Sequence, residues 1–119
     1  MFQFAAINRV SVFALQAFTG SFSDWFLYNQ RALSAERKQA VVERLAPLDP
    51  LKYAPQMGSA PVLMQFAKED FFVPRDKAEA LYAAARGLKK ILWYDAGHGL
   101  NQQASMDRID WLRTMLKLK

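Results

Sequence analysis

The sequence has no cysteine, one histidine, and five each of glycine and proline among 119 residues. Without cysteine there is no disulfide framework, no thiolate nucleophile and no cysteine-ligated metal. With His98 as the lone imidazole, a metal site would need carboxylates for its other ligands, and neither HExxH nor an EF-hand spacing occurs. No metal and no cofactor is therefore expected. Low glycine and proline beside 52% hydrophobic residues exclude collagen-like and disordered chains. No apolar run approaches the roughly 20 residues of a membrane helix, because Asn8, Arg9, Ser11 and Gln16 interrupt the N-terminal apolar segment. The first residues also lack the basic stretch of a signal peptide. The expectation is a cytoplasmic protein with no membrane partner.

What is present is one α/β domain, residues 1–119. The net charge of +5 comes from side chains spread along the whole chain, from Arg31 and Arg37 to Lys89, Lys90 and Lys119. A nucleic-acid binder concentrates such charge on one element with interleaved aromatics, so no nucleic-acid partner is expected. Val10 to Phe18 reads as a buried strand, apolar on both alternations and therefore covered on both faces. Met1–Ile7 reads as the end of a helix before it. Ser21–Tyr28, rich in aromatics, reads as loop or short helix. Ser34 caps a helix over Ala35–Ala46, with Ala40, Val41 and Leu45 inward, stopped by Pro47 and Pro50. Leu48–Ser59 reads as a connection with at most one helical turn.

Ala60–Ala67 is a second buried strand. Pro74 and Asp76 open a helix with an apolar stripe of Ala78, Leu81, Tyr82 and Ala85, and Gly87 stands at its C′ position. Lys90–Tyr94 is the third strand. A last helix starts near Asn101 with Met106, Ile109, Leu112, Met115 and Leu116 inward. Strand and helix alternate three times, which predicts a parallel sheet with helices on both faces, a three-layer α/β architecture.

In such a sheet, functional groups collect beyond the carboxyl ends of the strands. Asp70 follows the second strand and His98 follows the third, so adjacent strands would bring carboxylate and imidazole together. A carboxylate that accepts from one ring nitrogen fixes the tautomer and leaves the other nitrogen as a general base. On position alone, His98 as a simple turn residue and Asp70 as a strand-end cap stand equally open. Glu69 beside Asp70 is not read as a partner, since neighbours on a strand point to opposite faces.

The residues Pro61–Pro74, ending in Asp70-Phe71-Phe72-Val73-Pro74, and Tyr94-Asp95-Ala96-Gly97-His98 resemble the C-terminal part of an α/β-hydrolase of the dienelactone-hydrolase or prolyl-oligopeptidase-like branch. Arg9–Trp25 is similar in kind to the sixth strand and its aromatic loop. The resemblance implies a partial α/β-hydrolase fold, the equivalent of strands six to eight. It gives Asp70 the acid role and His98 the base role of a Ser-His-Asp triad acting on ester or peptide bonds. It places Phe71, Phe72 and Trp25 at a pocket for an acyl or leaving group.

The G-x-S-x-G nucleophile elbow of that family is absent. Ser21 and Ser23 follow the sixth strand rather than the fifth and lack the second flanking glycine, so neither replaces it. The chain corresponds to the portion just after the nucleophile and is expected to be inactive alone. Its first strand would expose an apolar edge, which predicts a homodimer or a partner carrying the missing N-terminal half. A non-catalytic α/β interaction module is the alternative function.

Overall fold

The computed structural model describes residues 10–119. Met1–Ile7, expected as the end of a helix, lies outside the described residues. Strands β1 (Phe13–Gln16), β2 (Val62–Ala67) and β3 (Lys89–Tyr94) form one parallel sheet in that order. Phe13 pairs with Val62 and Gln16 with Gln65, while Val62 pairs with Lys89 and Ala67 with Tyr94. Between β1 and β2 run helices α1 (Phe22–Leu27), α2 (Ala35–Leu45) and α3 (Pro50–Tyr53). Helix α4 (Arg75–Ala84) links β2 to β3, and α5 (Gln102–Met115) is the last helix.

The central strand is apolar throughout apart from Gln65, and all six of its residues are buried. Its alternation sorts the two faces. Val62, Met64 and Phe66 join Phe13 and Leu15 of β1 and Ala78 and Leu81 of α4 in one core cluster. Leu63 and Gln65 point the other way, where Gln65 donates to the Ala104 carbonyl of α5. Helices thus cover both faces of the sheet.

Several expectations need correction. β1 is shorter than Val10–Phe18 and is covered on one face, since Gln16 is exposed and Ala14 half-buried. Helix α2 buries no residue fully; Val41 and Leu45 are half-buried and Ala40 is exposed, which leaves it on the surface. The segment after it holds more than one turn. A 3-10 turn at Ala46–Leu48, α3, and a second 3-10 turn at Ala54–Gln56 follow one another, each opened by a proline in its first positions. Proline's fixed φ suits a helix start, where its missing N–H costs nothing.

Gly87 has φ +79 but stands two residues past the C-cap Ala85, so it turns the chain into β3 rather than capping α4. The free carbonyls of α4 are met instead by Lys89 Nζ, 2.6 Å from Tyr82 O and 2.9 Å from Ala85 O. Met106 and Ile109 of α5, and Leu116 at its C-cap, are exposed, not inward. The face toward the sheet carries Ala104, Arg108, Trp111 and Met115.

Candidate functional site

Asp70 and His98 meet beyond the carboxyl ends of β2 and β3. The parallel pairing of Ala67 with Tyr94 brings the two strand ends level. Two hydrogen bonds tie the following turns together, Lys68 N–H to Tyr94 O at 2.9 Å and Glu69 N–H to Ala96 O at 3.3 Å. The exposed ion pair of Lys68 with Asp95, at 2.7 Å, spans the same junction. It adds little energy at such exposure.

The Asp70 side chain is fully buried. Its Oδ1 accepts from Phe72 N–H at 2.8 Å and Val73 N–H at 3.1 Å, an Asx turn that fixes the plane of the carboxylate just before Pro74. The other oxygen, Oδ2, lies 2.9 Å from His98 Nδ1. His98 is about half exposed, 46% for its side chain, so the pair has one buried and one open end. With an ionised carboxylate as acceptor, the neutral ring carries its proton on Nδ1 and a lone pair on Nε2. Among the described residues Nε2 makes no hydrogen bond.

The ring is held by packing as well. Phe72 lies 5.0 Å from His98, centroid to centroid, and Tyr28 backs Phe72 at 4.7 Å. His98 also borders a cleft of about 240 Å³ whose walls are Phe18, Phe22, Trp25 and Val73. Trp25 therefore stands at the cleft, Phe72 braces the imidazole, and Phe71, 77% exposed, takes part in neither. Glu69 is exposed and apart from the pair.

Ser21 and Ser23 are occupied elsewhere. Ser21 Oγ caps α1 by accepting from Asp24 N–H at 3.2 Å and lies 3.0 Å from Ser23 Oγ, and Ser23 is buried. Neither lines the cleft. Among the described residues no three potential metal-ligating side chains come together, and no helix is long and apolar enough to cross a membrane.

Position alone did not single out Gln65, the one polar residue of β2. Its Nε2 donates to Tyr94 Oη at 2.8 Å and Ala104 O at 2.7 Å, and its Oε1 accepts from Arg108 at 3.2 Å. Tyr94 in turn donates to Asp107 Oδ2 at 2.9 Å. A glutamine inside an otherwise apolar buried strand was the available signal, because a buried amide needs partners from neighbouring elements.

No family model matches the sequence, and no curated protein matches it. Solved structures do. Eighteen chains match, among them the crystal structure of the enol-lactonase from Burkholderia xenovorans LB400, an α/β-hydrolase. It superposes with a TM-score of 0.61 at 14% identity. The match covers 98% of this chain and 60% of that one. The likeness establishes the fold, part of an α/β-hydrolase-like architecture, and this chain spans about three-fifths of the neighbour's length.

Proposed function

We propose that Asp70 and His98 are the acid and base of a serine-hydrolase site for small ester or peptide bonds, of the dienelactone-hydrolase or prolyl-oligopeptidase-like kind. The observation that carries this reading is the 2.9 Å contact between the buried Asp70 Oδ2 and His98 Nδ1. Asp70 holds the ring beside the cleft and stabilises the imidazolium that forms there. Nε2 takes the proton of an attacking hydroxyl and returns it to the leaving group. The hydroxyl and the oxyanion-binding N–H groups come from polypeptide beyond the β1 edge, since this sequence has no G-x-S-x-G elbow. Alone, the chain is inactive.

Two measurements test this. Long-range ¹H–¹⁵N correlation spectra of neutral His98 are expected to show the Nδ1–H tautomer. In Asp70→Asn the side-chain oxygen keeps the two backbone donors and the NH₂ faces Nδ1, so the proton moves to Nε2. A wild-type ring already in the Nε2–H form overturns the acid–base reading. A fluorophosphonate probe is expected to leave the chain unlabelled, and labelling of Ser21 or Ser23 would show a nucleophile within it.

A further inference from the structure

The cleft beside His98 has a composition that the acid–base pair does not require. Phe18, Phe22, Trp25 and Val73 form its walls, and Thr19 and His98 are its polar side chains. The Thr19 hydroxyl is engaged, donating to Ser21 O at 2.7 Å and accepting from Ser21 N–H at 3.1 Å. Among the lining side chains, His98 Nε2 is then the polar atom left for a ligand. No lysine, arginine, aspartate or glutamate lines the cleft. The nearby Lys77 and Asp24 are paired with each other at 3.2 Å. A charged ligand would lose its hydration there without gaining a counter-ion.

Size narrows the class further. An apolar cavity of roughly 150 Å³ holds a benzene molecule, so about 240 Å³ admits one ring with a short substituent. A nucleotide or an extended peptide would reach beyond it. Trp25 is 57% exposed and Phe22 36% exposed, which leaves large aromatic surface in water that a flat ring would cover. The brace of Tyr28 on Phe72 and Phe72 on His98 keeps the imidazole at the rim with its free nitrogen available to that ring's substituent.

We infer that the cleft binds a single uncharged aromatic ring whose hydroxyl donates to His98 Nε2, the phenol part of a small aryl ester. This rests on the proposed hydrolase site and names its substrate class. Single-ring compounds of this size bind with dissociation constants on the order of 1 mM. The test is an NMR titration of the whole chain with phenol, and with benzoate and benzylammonium as charged counterparts.

With phenol, the Trp25 indole and His98 ring signals are expected to shift together and saturate. Benzoate and benzylammonium bind roughly tenfold more weakly, and Trp25→Ala weakens phenol roughly tenfold while Trp25→Phe retains most of the affinity. Because Trp25 is largely exposed, its replacement does not threaten the fold. Shifts that fail to saturate, or that fall on α5 instead, overturn the proposal; benzoate binding as tightly as phenol overturns its uncharged ligand class. The outcomes separate from those of the preceding reading. Ring binding beside an Nε2–H tautomer leaves the cleft without the base, and an Nδ1–H tautomer without ring binding leaves the base without the cleft.

Discussion

Tyr94 shows how much of this protein's internal order depends on a single hydroxyl. Its residue is 6% exposed, and its oxygen accepts from Gln65 while donating to Asp107. Burial pushes the phenol up to about 12 from an ordinary value of 10; Gln65 opposes that shift and Asp107 adds to it. The folded chain thus holds a proton that the unfolded chain releases near pH 10. Stability from this group is fully present below pH 10 and is lost as pH rises from 10 to about 12, at roughly 1.4 kcal/mol per pH unit. Urea denaturation at pH 9, 10 and 11 is expected to show a steeper fall for wild type than for Tyr94→Phe. At neutral pH Tyr94→Phe costs about 1–3 kcal/mol, because a Gln65 N–H and an Asp107 oxygen lose their shared partner. Parallel pH dependences for the two proteins would contradict this account.

At the scale of elements, the strands, the turns that present Asp70 and His98, and the buried stripe of α4 at Ala78, Leu81 and Ala85 were legible, and the faces of α2 and α5 were not. A run such as Val62-Leu63-Met64 and the punctuation of Pro61, Pro74 and Gly97 carry their meaning locally. The inward face of α5 does not. Apolar periodicity favours Met106, Ile109 and Leu116, but the buried amide of Gln65 recruits Arg108, and Tyr94 recruits Asp107. Satisfying buried polar atoms turned the helix away from its most apolar stripe. Arg108 lies 43 residues from Gln65 and Asp107 13 from Tyr94, both out of reach of a local helical pattern. The end of β1 was hidden for a similar reason. Ala17 has φ +42, a left-handed conformation that costs an alanine about 1 kcal/mol, yet its N–H bonds Gln65 O at 2.8 Å and its neighbours begin the cleft wall. Tertiary hydrogen bonding imposes that turn. Ala17→Gly relieves it, and the urea midpoint is expected to rise by an amount equivalent to about 0.5–1 kcal/mol. A lower midpoint would mean that the strain is not borne at this residue.

On the scale of the whole molecule, the sheet among the described residues ends at β1 with backbone groups facing outward. The N–H groups of Phe13 and Ala17 reach Pro61 and Gln65, so those of Ala14 and Gln16 point away from β2. Helix α5 exposes Met106 and Ile109, and Leu116 just after it is exposed too. Arg108, half-buried next to this edge, has only neutral partners among the described residues: Gln65, Ser105 and Gln16, with the Gln16 amide oxygen turned toward it. An edge of this kind templates association, which is how the proposed partner, a second copy or a polypeptide bearing the nucleophile, would attach. Charge separates the two. Copies that each carry +5 repel, and screening that repulsion strengthens a homodimer, whereas an acidic complement to Arg108 is weakened by the same salt. Sedimentation velocity of the isolated chain is therefore expected to show concentration-dependent dimers that grow between about 0.01 and 0.15 M salt, as the screening length falls from about 30 to 8 Å. Ile109→Glu is expected to shift the equilibrium toward monomer while leaving the His98 tautomer unchanged, because that side chain lies on the α5 face and the acid–base pair at the strand ends. Exchange of Asp70 and His98 for Asn and Gln leaves the dimer intact if the edge alone drives assembly. A chain that stays monomeric at every concentration and salt would remove self-association from the proposal, and with it the reading of this protein as an interaction module.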